Sequence, residues 1–133
     1  MAERNTLYYG DNLDIMRRHV ADLSIDLVYL DPPFNSKADY NILFKERGAG
    51  AAAQIRAFQD TWQWNEESAA EYEAMVEAGG DVAQALRAFR TLVGDSDVLA
   101  YLSMMAPRLV ELHRVLKDSG SLFLHCDPTA SFR

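Results

Sequence analysis

The residues whose types and spacing suit chemistry begin at Asp31, which is followed by Pro32, Pro33 and Phe34. Each proline restrains its φ angle to about −65° and has no N–H group, so the carbonyl groups of this turn are held in place as hydrogen-bond acceptors. A carboxylate beside such a carbonyl suits an NH2 group, and the phenylalanine ring offers a flat apolar surface to another planar ring. The four residues therefore predict a site for the exocyclic amine of a nucleobase that has left its stack.

A buried strand is predicted directly before this turn. Residues 24–30 end in four apolar residues, Leu27 to Leu30, and a continuous run of this kind is typical of a parallel strand that is covered on both faces. Asp31 then falls at the carboxyl end of the strand, where open α/β sheets bind their ligands.

An earlier strand and a helix are predicted upstream. Thr6–Tyr9 is rich in β-prone residues, and Gly10 interrupts the run. Asp11 or Asn12 then caps a helix that continues to about Val20. Strand, helix and strand in this order predict a βαβ unit with a right-handed crossover.

The remaining chain predicts helices followed by one more strand. The expected parts are 1–47 with the βαβ unit, 48–97 as a helical insertion, and 98–133 with a helix at about Val98–Leu116 and a strand at Ser121–Cys126. Three strands with covering helices predict an α/β fold, namely an incomplete, mostly parallel, doubly wound sheet with a helical insertion. Such a sheet is expected to expose apolar surface and unpaired backbone at one edge.

Charge limits what the chain can bind by itself. The formal net charge is −7, and residues 46–100 hold ten acidic and four basic residues. Neutralising a phosphate backbone requires clustered lysine and arginine, so a chain that grips nucleic acid alone is disfavoured. Any nucleic-acid surface is expected at the two ends of the chain or outside it.

Composition also excludes several classes of protein. Cys126 is the only cysteine, which excludes an internal disulfide framework and an all-cysteine metal site, and no metal site is predicted. No run approaches the roughly 18 apolar residues of a membrane span. The N-terminus lacks the pattern of a secretory signal, so a cytoplasmic protein without a membrane partner is expected.

The turn and its surroundings resemble a known enzyme family. Asp31–Phe34 matches the catalytic tetrapeptide, Asp-Pro-Pro and an aromatic residue, of S-adenosylmethionine-dependent DNA amino-methyltransferases. Similarity to segments of that family extends to residues 9–14, 24–36, 58–62, 85–90 and 105–129. Too few residues precede Asp31 for the family's glycine-rich cofactor motif, so the order resembles the β class, in which the tetrapeptide comes first. The chain resembles the N-terminal part of such an enzyme, with a recognition region and the glycine-rich motif expected after Arg133.

The resemblance implies an activity. It implies a partial Rossmann-like methyltransferase sheet, S-adenosylmethionine as the cofactor, and double-stranded DNA with a flipped target base as the partner. Methyl transfer to adenine N6 is favoured over cytosine N4, in the setting of restriction and modification. A homodimer is compatible with the resemblance, as is a chain that is inactive without its C-terminal half.

The resemblance also implies roles for single residues. The implied catalytic residues are Asp31, Pro32, Pro33 and Phe34, and the implied cofactor-binding residues are Asp11, Asn12 and Asp31. Asp31 and the Pro32 carbonyl would hold the amine, and Phe34 would stack on the base. A helix cap explains Asp11 equally well, and the two roles are compatible.

Several residues have two interpretations. His125 and Asp127 follow a predicted strand and either line the site or serve the structure. Cys126 is interpreted as a small buried apolar group, and Trp62 and Trp64 are interpreted as packing residues rather than base-stacking ones.

Two other functions stay open. One is a non-catalytic remnant or interaction module that keeps the fold and binds no cofactor. The other is an RNA or protein-amide methyltransferase, which is disfavoured because such enzymes usually place the glycine-rich motif first.

Overall fold

The computed structural model of the protein describes residues 4–32 and 63–126. Their helices and strands, in chain order, are α1 (Asn12–His19), β1 (Ile25–Leu30), α2 (Glu66–Ala78), α3 (Gly80–Val93), α4 (Asp97–Val115) and β2 (Leu116–Leu124). The strands β1 and β2 pair in parallel, so the described part has the α/β character predicted from the sequence. No helix within it is long and apolar enough to cross a membrane.

The helix α1 begins where the sequence predicts. The side chain of Asp11 accepts a hydrogen bond from the backbone N–H of Leu13 at 2.8 Å, which satisfies one of the unpaired donors of the first turn. Three basic residues occupy the last turn, where the helix dipole favours positive charge. The prediction of a capped helix is confirmed, and Val20 is its C-cap.

The predicted strand at Thr6–Tyr9 is wrong. These residues are described and form no strand, because the sheet of the described residues contains β1 and β2 alone. Instead, Tyr8 stacks on His19 with 5.3 Å between ring centroids, while Leu7 is almost fully exposed. A β-prone run becomes a strand only where a neighbouring strand accepts its backbone hydrogen bonds.

The register of the sheet determines which residues meet at its edge. Tyr29 pairs with Phe123 and Leu30 with Leu124. The backbone N–H of His125 continues the ladder by donating to the carbonyl of Leu30 at 2.9 Å. Consequently, the residues that directly follow the two strands lie side by side.

The start of β2 differs from the prediction. Ile25 pairs with Leu116 and Leu27 with Ser121, so β2 contains extra residues opposite Asp26 and begins earlier than expected. A Cβ atom on Gly120 would lie 2.5 Å from Cδ1 of Leu116, so a larger residue in this irregular part of the strand would displace the Leu116 side chain. The helix α4 ends at Val115, close to the predicted end.

The core lies between the helices rather than on the sheet. Tyr72, Leu86 and Leu99 form a buried cluster, and Trp64 packs against it, as predicted. Trp62 lies outside the described residues. The expected helical insertion is represented in the described part by α2 and α3.

The sheet is less covered than its sequence predicts. Among the residues of β1 only Val28 is buried, so the expectation of cover on both faces is wrong for the described part of the chain. Leu27, Tyr29 and Phe123 are 57–70% exposed. Apolar surface was expected on the sheet, and the described residues show it.

Candidate active site

Asp31 lies at the carboxyl end of β1, as predicted. Its Oδ1 atom is 3.1 Å from Nδ1 of His125, which directly follows β2. The two side chains are 63% and 65% exposed, respectively. The parallel register produces this pair, because residues that follow paired parallel strands emerge at the same edge of the sheet.

The double proline is described only at its first member. Pro32 is half-buried and follows the exposed carboxylate of Asp31. Pro33 and Phe34 lie outside the described residues, and so does Asp127. Their assigned roles therefore stay predictions.

A second polar group lies at the N-terminus of α1. One guanidinium nitrogen of Arg108, Nη2, donates to both carboxylate oxygens of Asp11, at 3.1 and 3.0 Å. The Nε atom of the same arginine donates to Oδ1 of Asn12 at 2.8 Å. Two of the three predicted cofactor residues, Asp11 and Asn12, are thus held by a residue that is distant in sequence.

Arg108 is positioned by its own helix. Its Nη1 atom donates to the backbone carbonyl of Met104 at 2.9 Å, and its side chain is only 15% exposed. A guanidinium presents its donors in a rigid fork, so one residue can hold a carbonyl on α4 and two side chains on α1 at once. The arrangement fixes the first turn of α1 against α4.

Sequence reasoning missed Arg108, although a signal for it exists. Met104, Met105 and Leu112 lie three or four positions away along α4 and are buried. An arginine among such residues lies on the apolar side of its helix, and a charged group there requires an anionic partner. Asp11 and the polar residues beside it were candidates for that partner.

Arg114 holds the other end of α1 to the same helix. Its guanidinium donates to the carbonyl of Met16 at 2.9 Å and to that of Val20 at 3.0 Å. It also pairs with Asp22 and Glu111, and these hydrogen bonds raise the pKa of Arg114. Because carbonyls at a helix C-terminus lack partners within the helix, this contact completes α1 and orients the chain that leads into β1.

The electrostatics around Asp11 are acidic with one strong basic group. Burial raises the pKa of Glu71 on α2, Arg108 acts against this rise, and Glu67 and Asp11 add to it. Two neighbouring carboxylates and one guanidinium thus act on Glu71 in opposite directions, and burial has the largest effect.

Cys126 is less exposed than Asp31 and His125. Cys126 is half-buried at the end of β2, which places it between a core position and the surface. Burial raises the pKa of Tyr101 on α4, and Cys126 adds to the rise. Within residues 4–32 and 63–126, no group of three His, Cys, Asp or Glu side chains is arranged to hold a metal ion.

The two polar groups are built separately. In the described ranges, no hydrogen bond or ion pair joins Asp31 to Asp11 or Asn12. The carboxylate of Asp31 projects from the sheet edge, whereas Asp11 and Asn12 belong to the contact between α1 and α4. What the arrangement can do chemically therefore differs between them: the first presents a carboxylate to solvent, and the second stabilises a helix start.

Comparisons with known proteins identify a family and several relatives. A family described as DNA methylase, with amino N6 and N4 specificity in its name, matches residues 25–133. The chain is 29% identical to the type III restriction-modification enzyme StyLTI Mod subunit of Salmonella typhimurium, over 92% of its own length and 16% of that protein. It is 26% identical to the EcoPI Mod subunit of Escherichia phage P1, over 93% of its length and 17% of that protein.

A third relative is similar to the same extent. The chain is 24% identical to the EcoP15I Mod subunit of Escherichia coli, over 93% of its length and 17% of that protein. The chain thus spans about a sixth of the length of the curated relatives it matches. No solved structure matches it.

Proposed function

This chain belongs to the DNA methylase family that matches residues 25–133, and on that premise we propose that it holds the target amine in a DNA methyltransferase. The reaction is transfer of a methyl group from S-adenosylmethionine to the exocyclic amine of a base flipped out of duplex DNA: the N–C bond forms as the S–C bond breaks, S-adenosylhomocysteine leaves, and the amine releases one proton. Adenine N6 is the favoured acceptor. The observation that supports this proposal most is the exposed carboxylate of Asp31 at the carboxyl end of a parallel strand.

The role of Asp31 follows from its chemistry. An ionised carboxylate accepts hydrogen bonds only, so it receives one N–H of the target amine while the Pro32 carbonyl receives the other. The amine is thereby oriented with its lone pair toward the methyl group, and positioning supplies the main catalytic contribution. Positive charge develops on the amine nitrogen during transfer, and the negative charge of Asp31 stabilises it.

The predicted cofactor residues fit S-adenosylmethionine only in part. S-adenosylmethionine supplies an activated methyl group when bound. The carboxylate of Asp11 already accepts from Leu13 and twice from Arg108, out of about four acceptor positions in a carboxylate. Asp11 is nonetheless 56% exposed, so it can contact a hydroxyl or amine of the cofactor as one further acceptor, beside Asn12.

The proposal assigns the remaining tasks to the whole protein. The sequence has no FxGxG motif and carries a net charge of −7, which supports the proposal that cofactor glycines and basic DNA-binding surface lie outside residues 1–133. The parallel pair of β1 and β2 is then part of a Rossmann-like sheet. The relatives are Mod subunits of restriction-modification enzymes, and a modification role with duplex DNA as partner is proposed here too.

The test is a methyl-transfer assay with the whole protein in which residues 1–133 occur. Radiolabelled S-adenosylmethionine and unmethylated duplex DNA are the substrates, and mass spectrometry of the digested DNA identifies the product. We expect N6-methyladenine in the DNA. N4-methylcytosine would correct the base, and absence of any methylated base would favour the interaction module.

Asp31→Ala tests the residue assignment in the same assay. We expect transfer to fall about 100- to 1000-fold, as when a preorganised group facing developing charge is removed, while S-adenosylmethionine affinity stays within about threefold. Asp118→Ala is the matched control, because Asp118 is an exposed aspartate on β2 that does not follow a strand end. Full activity of Asp31→Ala would refute the role of Asp31.

A further inference from the structure

We infer that His125 is a positioning residue that orients the carboxylate of Asp31 toward the target amine. The inference rests on the proposed function and adds a residue to its site. The contact between Nδ1 of His125 and Oδ1 of Asp31 measures 3.1 Å. No sequence motif assigns this role, since the two residues are far apart in the chain.

Backbone pairing between the two strands fixes the positions of both residues of this contact. The N–H of His125 donates to the carbonyl of Leu30 at 2.9 Å, directly before Asp31. The pairing of Leu30 with Leu124 fixes the same alignment one residue earlier. Both Cα atoms are therefore set by the sheet, and the side-chain contact requires little further ordering.

The direction of the hydrogen bond follows from the chemistry of the two groups. An ionised carboxylate has no proton to donate, so Nδ1 of His125 carries the proton and donates it to Oδ1. Within residues 4–32 and 63–126, Oδ2 of Asp31 accepts no hydrogen bond. One carboxylate oxygen is thus tethered, and the described residues leave the other one as an acceptor for the amine.

An exposed carboxylate benefits from such a tether. Asp31 is 63% exposed, and nothing else in the described part of the chain restrains its rotation. The imidazole N–H orients the carboxylate by donating to one of its oxygens, and a carboxylate oxygen bound in this way leaves the second oxygen with acceptor capacity for the amine. The pair therefore combines a fixed direction with an acceptor oxygen for the target.

The test compares three variants of the whole protein in the methyl-transfer assay. We expect His125→Ala to lower kcat about tenfold, which corresponds to the loss of one hydrogen bond to a charged group, with KM for DNA and for S-adenosylmethionine within about twofold. His125→Asn is expected to retain kcat within about threefold, because the amide nitrogen of asparagine occupies the place of Nδ1. His113→Ala, at an exposed histidine of α4, is the control and is expected to match the wild type.

The outcomes separate this inference from the proposed function. If the wild-type protein transfers methyl groups and His125→Asn is as slow as His125→Ala, or His125→Ala is as fast as wild type, the inference is wrong and the function stands. A wild-type protein that transfers no methyl group refutes both. A measurement without any variant is the 15N spectrum of the histidine side chains, in which His125 is expected as the Nδ1–H tautomer. The Nε2–H tautomer would overturn the inference.

Discussion

Two aspartates of this protein, Asp31 and Asp11, were both assigned to the site from the sequence, but their side chains have different environments in the structure. Among the described residues, Asp31 has one side-chain partner, His125, and it projects from the end of a strand. Asp11 accepts a backbone N–H and is held through both oxygens by a largely buried arginine. The acceptor positions of Asp31 are mostly unused by the described residues, whereas those of Asp11 are mostly occupied.

The difference shows that a polar side chain is not necessarily available to bind a ligand. A carboxylate that binds a substrate must keep an acceptor oxygen available. A carboxylate that completes the start of a helix must accept hydrogen bonds from protein donors with its oxygens. Asp31 meets the first condition and Asp11 the second. Mutations at the two places should therefore affect different quantities.

The largest expected effect is on activity at Asp31. Asp31→Ala should lower methyl transfer about 100- to 1000-fold and change the free energy of unfolding by less than about 0.5 kcal/mol, as expected for an exposed surface position. Urea unfolding of the same preparation measures the second quantity. A loss of more than about 1 kcal/mol in the free energy of unfolding would show that Asp31 stabilises the fold. The contrast between Asp31 and Asp11 would then be wrong.

The reverse pattern is expected at Arg108. Arg108→Ala removes hydrogen bonds to Asp11, Asn12 and the Met104 carbonyl, and should lower the free energy of unfolding by about 2–3 kcal/mol. Urea unfolding measures the loss. Arg18→Ala is the control, because its ion pair with Asp14 is exposed on both sides and should contribute less than about 0.5 kcal/mol. Equal losses in the two variants would remove Arg108 from its assigned role.

Asp11 should show an intermediate effect that depends on the replacement. Asp11→Ala removes the cap of α1 and should cost about 1–2 kcal/mol of the free energy of unfolding. Asp11→Ser keeps a capping oxygen and should recover about half of that loss, without restoring the pair with Arg108. Thermal and urea unfolding check both values. A serine variant as unstable as the alanine variant would mean that the cap contributes nothing.

The smallest expected effect is a pH dependence at Glu71. Burial raises the pKa of this carboxyl above its usual value of 4.5, so the folded protein binds the proton more tightly than the unfolded chain. Stability contributed by Glu71 is then present at low pH and is lost as the pH rises through the folded-state pKa. Because Glu71 is only half-buried, the loss should stay below about 1 kcal/mol.

Glu71→Gln should remove this part of the pH dependence. Urea unfolding at several pH values between pH 4 and pH 7 checks it, with Glu77→Gln as the exposed control on the same helix. The expected result is a flatter stability profile for Glu71→Gln alone. A steeper profile would reverse the sign and would mean that the pairing with Arg108 outweighs burial.

Local patterns along the chain were sufficient to predict part of this structure. The strand before Asp31, the cap at Asp11 and the helix that became α4 were predicted, because each depends on residues within a few positions of one another. The position of Asp31 at a strand end followed from the same patterns. The burial of β1 was overestimated, because apolar composition alone does not show whether a neighbouring element covers the strand.

Tertiary structure decided the contacts that give these residues their roles. Arg108 reaches Asp11 across two packed helices, and His125 meets Asp31 because two parallel strands share one register. Thr6–Tyr9 has the composition of a strand and is none, since no neighbour pairs with it in the described sheet. Composition and spacing determine local structure over one helical turn or one strand. The partner of a carboxylate depends instead on which distant part of the backbone packs beside it. The chain itself therefore determined that a carboxylate stands at the end of β1, and only the fold determined which of the two aspartates keeps acceptor oxygens that the described residues do not use.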